Sequence, residues 1–127
     1  MNKLVSPIYN KKSWGHEIVW AITDKYISKT IEIDPYKISE LVVYEKREKS
    51  IVVVLGQLIL ALGKCCDENV LEYISFEEGW SFYIAPGMMH RYGATEKSLR
   101  LIEVSSPEID SAIIIGDTSE LEIPWIN

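Results

Sequence analysis

Short apolar runs, alternating in polarity and cut by turn residues roughly every 8–12 positions, constrain this chain more than any other feature. In "YISKTIEI" the residues Ile27, Ile31 and Ile33 share one parity, and in "WSFYIA" so do Trp80, Phe82 and Ile84. Period two places same-parity side chains on one face of a pleated strand, so each run buries one side. "SIVVVLGQLILALG" reads as two buried strands hinged at Gly56. Further runs lie at Trp14–Ile22, from Leu41, at Val70–Phe76, His90–Ala94, Ser98–Ser105 and Ser111–Asp117. Asp24-Lys25, Asp34-Pro35, Glu77-Glu78-Gly79, Pro86-Gly87 and Pro107 separate them. No helical periodicity is sustained. About nine or ten strands follow, and an antiparallel β-sandwich or barrel is the architecture that buries them.

The 127 residues suit one domain, taken as 1–127, and suffice for a core without staples. The net charge of −6 disfavours a phosphate backbone as partner, so no nucleic acid is expected. Apolar runs stay short, as in Ile51–Leu55, against the ~20 residues of a spanning helix, so no membrane partner is expected either. The opening "MNKLVSPIYNKKSW" has no apolar signal core, and a cytoplasmic location is the expectation. The two cysteines, Cys65 and Cys66, are adjacent, which is poor spacing for a zinc chelate, and two reduced thiols near a turn are expected.

Two histidines exist. His16, in "WGHE", has nothing nearby to complete a chelate and reads as a polar strand residue. His90, in "YIAPGMMHRYGA", follows a tight Pro-Gly turn at the start of a strand, a placement that can aim an imidazole into a cavity. Met88 and Met89 beside it either line that cavity's mouth or pack the loop. Glu103, in "RLIEVS", shares parity with Leu101 and Ser105. On an inward face it is a buried carboxylate that needs a partner, such as Arg91 or His90.

Several stretches together resemble the cupin superfamily. Within it, the similarity is to small cupins related to the C-terminal phosphomannose isomerase domain of mannose-phosphate isomerase/guanylyltransferases. "KKSWGHEIVWAITDKYISKTIEI" resembles the family opening, "LVVYEKREKSIVVVLGQLIL" the first cupin motif ending at Gly56, "FEEGWSFYIAPGMMHRYGA" the second, and "LIEVSSPEID" the closing segment. The resemblance spans about Lys12 to Asp117. It implies an all-β, single-domain cupin, a double-stranded β-helix (jelly-roll) barrel with a ligand cavity at its open mouth. In metal-binding members two histidines and a glutamate come from the first motif and one histidine from the second. Here those positions fall on Val42, Tyr44, Lys49 and His90. Glu48 is one residue out of register, which sends it to the other face unless a bulge intervenes. The expectation is therefore no metal and no cofactor.

The resemblance further implies that Tyr44 and His90 share one cavity, their polar atoms about 3–7 Å apart, within reach of one ligand. They are candidates for an acid/base pair, His90 as base and Tyr44 as acid. The alternative is a hydrogen-bonded remnant histidine and a space-filling tyrosine. Lys49, Arg91 and Glu103 are the candidate ligand-binding residues. For Lys49, within "EKREKS", a solvated surface charge is the competing reading, and for Arg91 the question is open. The function expected is binding of a small anionic, sugar-type ligand, a sugar phosphate or nucleotide sugar, with isomerase or epimerase turnover as its catalytic version. A non-catalytic structural or regulatory module is the alternative, and a metal-dependent mannose-6-phosphate isomerase-like enzyme the third. Small cupins commonly pair, and the apolar tails "KLVSPIY" and "LEIPWIN" suggest a homodimer with a tail against the partner.

Overall fold

The computed structural model describes residues 4–64, 70–107 and 113–116, the last segment with only the Ile114 side chain. Cys65 and Cys66, the turn that holds them and the tail "LEIPWIN" lie outside the described residues. Among the described residues eleven strands run in chain order: β1 Ile8–Lys12, β2 Gly15–Ile22, β3 Ile27–Ile33, β4 Leu41–Val43, β5 Lys49–Leu55, β6 Gln57–Lys64, β7 Glu72–Glu77, β8 Ser81–Ile84, β9 Met88–Ala94, β10 Leu99–Ser105 and β11 Ile113–Gly116. They form a six-stranded sheet, β1-β2-β3-β10-β5-β8, and a five-stranded sheet, β11-β4-β9-β6-β7, with every pairing antiparallel.

The inward parity of each strand builds one core between the sheets. Ile31, Ile33, Ile51, Val53, Ile84, Leu99 and Leu101 come from the larger sheet, and Leu58, Leu60, Leu62, Tyr92 and Ala94 from the smaller. A second, small cluster of Leu41, Val43 and Met89 packs on the other side of the smaller sheet. Parity therefore sends Met88, His90 and Tyr92 into the barrel, and Met89 and Arg91 out of it.

Two turns carry the geometry. Gly56 joins β5 to β6 at φ +85°, and a Cβ there would meet the Ser98 carbonyl oxygen at 2.5 Å, so only glycine fits. Gly87, at φ +83°, donates its N–H to the Tyr44 carbonyl at 2.8 Å. That bond ties the Pro86-Gly87 turn to the end of β4 and holds Tyr44 beside the strand that carries His90.

Two sequence expectations are corrected. β1 adds a strand to the expected nine or ten, because the polar "IYNKK" pairs with β2 at a sheet edge where little burial is required. Trp80 does not join Phe82 and Ile84 inside but sits in the turn before β8, 66% exposed.

Candidate functional site

A line of alternating charge crosses the inner face of the larger sheet. Asn10 on β1 donates to Glu17 on β2 (3.4 Å), and Lys29 on β3 reaches both Glu17 oxygens at 3.4 Å. Lys29 also lies 3.6 Å from Glu103 Oε2 on β10, and Lys49 on β5 donates to Glu103 Oε1 at 3.0 Å. The same Oε1 accepts the Tyr92 hydroxyl at 2.6 Å. Five adjacent strands thus each contribute one polar group. Glu103 and Lys49 are almost wholly buried, 2% and 5% exposed.

Burial alone would raise the Glu103 carboxyl, but the ammonium groups of Lys49 and Lys29 and the Tyr92 hydroxyl override it and hold it at about 2. Lys29 is raised, because the Glu103 and Glu17 carboxylates outweigh its own burial. Lys49 is lowered by burial, aided by Lys29 and Arg47, against the pull of Glu103. Tyr92 is pushed well above the phenol range by burial and by Glu103.

Next to this line sits an aromatic group. His90 lies opposite Val42 across the β4–β9 pairing. Its ring centroid is 6.4 Å from that of Tyr44 and 5.8 Å from that of Tyr92. Lys49 Nζ is 4.5 Å from the centre of the Tyr44 ring, and the Arg47 guanidinium carbon lies 4.1 Å from it, both at cation–π distance. His90 is 2% exposed. Its Nδ1 is 3.0 Å from the Met88 carbonyl, a contact that requires Nδ1–H and leaves Nε2 as an acceptor without a hydrogen-bond partner among the described residues. Burial, aided by the Lys49 charge, lowers His90 to about 3, so the ring is neutral at physiological pH.

The cluster opens to solvent through a cavity of about 180 Å³ between the β1–β3 side of the larger sheet and β4 of the smaller. Lys12, Trp14, Glu17, Lys29, Tyr44 and Tyr92 are among its lining residues. Trp14 donates its indole N–H to Glu40 at 2.9 Å on the same wall. A larger cleft of about 590 Å³ lies where the turns at Gly56, Glu78 and Lys97 meet. Its charged lining is three glutamates, Glu77, Glu78 and Glu96, against Lys97, and it touches none of the buried ionic groups.

The candidates separate as follows. Tyr44, Lys49, His90 and Glu103 are brought together; Arg91 is not. Arg91 follows His90, so its side chain leaves the opposite face of β9, where Nε donates to the Ser39 carbonyl at 3.1 Å. The expected partners of Glu103, Arg91 or His90, are replaced by Lys49, Tyr92 and Lys29. Lys49 is no solvated surface charge, whereas Glu48, its neighbour, is exposed, and no bulge turns it inward. Lys29 and Tyr92 were not singled out from sequence, although the parity of "YISKTIEI" and of "HRY" placed both on the inner face. The four positions that the resemblance matches to metal ligands, Val42, Tyr44, Lys49 and His90, hold an aliphatic chain, a phenol, an ammonium hydrogen-bonded to a carboxylate and one imidazole. That donor set does not fit a divalent cation, which the Lys49 charge would repel. Among the described residues no group of three or more His, Cys, Asp or Glu could hold a metal ion.

Two facing antiparallel sheets of this order give the chain a jelly-roll barrel, the fold of the cupin structures it superimposes on. It superimposes on the capsular polysaccharide assembling protein CapF of Staphylococcus aureus at a TM-score of 0.73, with 14% identity over 87% of this chain and 34% of that one. KdgF from Halomonas sp. matches at a TM-score of 0.67 and 19% identity, over 80% of this chain and 88% of that one. Oxalate decarboxylase of Bacillus subtilis, a protein with Mn(II) centres, matches at a TM-score of 0.69 and 19% identity, over 83% of this chain and 28% of that one. The chain therefore spans about a third of the CapF and oxalate decarboxylase chains. No protein-family model matches the sequence, and no curated protein matches it. No helix among the described residues is long and apolar enough to cross a membrane.

Proposed function

We propose that the cavity binds a small anionic, hydroxyl-bearing molecule of the sugar-acid or sugar-phosphate kind, and that it does so without a metal ion. The observation that carries this reading is the concentration of cations at the cavity. In a chain of net charge −6, Lys12 and Lys29 line it with Glu17 and Glu40, and Lys49 and Arg47 lie against the ring of its Tyr44, with Glu103 bonded to Lys49. Counted with the groups behind the wall, four cations against three carboxylates leave an attractive field for an anion at this opening. The volume of about 180 Å³ sits below the roughly 300–1,000 Å³ of drug-sized sites, which favours a single sugar-sized unit over a whole nucleotide sugar. The polysaccharide context of CapF is in keeping with a sugar-derived ligand.

Binding is better supported than turnover. A general base works best with a pKa near the working pH, and His90 at about 3 is a hydrogen-bond acceptor instead. His90 is not among the residues that line the cavity; in this reading it packs behind Tyr44, which lines it. A purely structural module is the second reading, favoured by the mutual pairing of Lys49 and Glu103 inside the barrel.

Calorimetric titration with sugar monophosphates, uronic acids and the matching neutral sugars tests this. The expected result is binding of the anionic forms only, weakened by salt, abolished by Lys29→Met and unchanged by EDTA. No binding by any anionic member would leave the structural module standing. Binding that EDTA removes would overturn the metal-free reading.

A further inference from the structure

The cleft of about 590 Å³ where three turns meet falls within the roughly 300–1,000 Å³ of small-molecule sites. Backbone contacts tie its frame together. Gly56 donates its N–H to Glu78 Oε1 at 3.0 Å and so joins the β5–β6 turn to the β7–β8 turn. Gly79 donates its N–H to the Val53 carbonyl at 2.9 Å, which fixes the second turn against β5. The β9–β10 turn is held by the Tyr36 N–H, which donates to the Thr95 carbonyl at 2.9 Å, and it lies close against Gly56 through the Ser98 carbonyl.

Two observations point to a ligand in this frame. The first is charge without a counter-ion. Glu17, Glu32 and Glu103 each have an ion-pair partner. Glu77, Glu78 and Glu96, which line the cleft, have none among the described residues, and Lys97 is the one cation of the lining. The second is Thr95. It lines the same cleft, it is nine-tenths buried, and its hydroxyl has no hydrogen-bond partner among the described residues. A hydroxyl so placed is costly unless something in the cleft bonds it.

We propose that the cleft binds a linear di- or polyamine. Three carboxylates against one ammonium suit a ligand with two or three positive charges. A point cation fits poorly, because no three of the described His, Cys, Asp and Glu residues converge enough to hold a metal ion. Carboxylates set apart on two different turns match ammonium groups set apart along a chain. Glu78 is aimed by the Gly56 N–H at one oxygen, which leaves the other for the ligand. The exposed Leu55 gives the methylenes between the ammonium groups an apolar wall to lie along. The Thr95 oxygen accepts an ammonium hydrogen.

Titration calorimetry of the full-length chain at low ionic strength tests this, with spermidine, putrescine, n-butylamine and magnesium chloride as probes. One spermidine should bind per chain, more tightly than putrescine and at least about tenfold more tightly than butylamine or magnesium. Glu96→Gln should weaken spermidine about three- to fivefold, as loss of one exposed ion pair does, and Lys97→Met should tighten it by a similar factor. Thr95→Val changes no charge and keeps the shape, yet should weaken spermidine about threefold through the lost hydrogen bond. Glu72→Gln, exposed on β7 outside the cleft, removes the same charge as Glu96→Gln and should leave the affinity unchanged. The proposal is overturned by an absence of spermidine binding, or by butylamine or magnesium binding as tightly. It is overturned equally if Glu72→Gln weakens spermidine as much as Glu96→Gln, or if Thr95→Val has no effect, since the attraction is then that of an acidic chain for any polycation.

Discussion

Replacing Glu103 by glutamine removes one charge and changes almost nothing in shape. The structure sets the size of the effect. The carboxyl is at about 2 instead of the 4.5 of an ordinary glutamate. A difference of between two and three pKa units, at about 1.4 kcal/mol each, makes the ionised form worth on the order of 3–4 kcal/mol to the folded state at neutral pH. The mechanical view agrees. Glu103→Gln leaves Lys49 buried without its counter-charge and deprives Lys29 of one of two, and breaking a buried pair from one side costs about 3–5 kcal/mol. Urea unfolding of Glu103→Gln at pH 7 should therefore lose about 3–4 kcal/mol with an unchanged slope, and heating should show a midpoint roughly 10–20 °C lower. Lys49→Met with Glu103→Leu, which removes both charges together, should cost much less than the sum of the singles. If Glu103→Gln loses under about 1 kcal/mol, the carboxylate is not the counter-charge of Lys49, and the reasoning about the site fails with it.

Stability should rise with pH on the acid side. His90 at about 3 and Glu103 at about 2 both lie below their ordinary values of 6.5 and 4.5, so the unfolded chain binds more protons in between. The stabilisation is complete above about pH 6.5 and is lost as pH falls through the two windows; His90→Phe should flatten the part between 4.5 and 6.5, and a flat wild-type profile there would refute the buried neutral ring. Nitrogen-15 shifts should show His90 as the Nδ1–H tautomer from pH 5 to 8, and a midpoint near 6.5 would contradict it. Gly56→Ala should cost at least about 1 kcal/mol in equilibrium unfolding, since it combines a positive φ with a 2.5 Å contact to backbone oxygen.

Much of the fold is legible in the sequence, because strand parity is a local property. The alternation in "YISKTIEI" and "RLIEVS" assigns the inner face without any knowledge of partners. The same parity places Glu103 inside. What it cannot supply is the pairing of distant strands, and that decides which charges meet. Lys49 lies 54 positions from Glu103. It also closes the charged run "EKREK", which reads as a solvated turn until β5 is seen to begin at that lysine. Arg91 illustrates the opposite error: a place in a motif beside His90 suggests a shared site, but neighbours along a strand face opposite ways. β1 was hidden because an edge strand need not display an apolar stripe.

The line of charges across β1, β2, β3, β10 and β5 also bears on how the chain finds its pairing. An apolar face protects poorly against a strand sliding by two residues, since every side chain then returns to the same side with a similar neighbour. The line does not permit this. Sliding β10 by two places against β3 would set Leu101 or Ser105 opposite Lys29 in place of Glu103, and would strand a carboxylate among isoleucines. Four of the five strands carry an ionised marker and β1 a neutral one, Asn10, so an error in β3, β10 or β5 leaves an ion without its partner. Read in this way, the polar line is an address written across the sheet. Its energy is concentrated less in the stability of the finished barrel than in the distance between that barrel and its nearest misaligned copies.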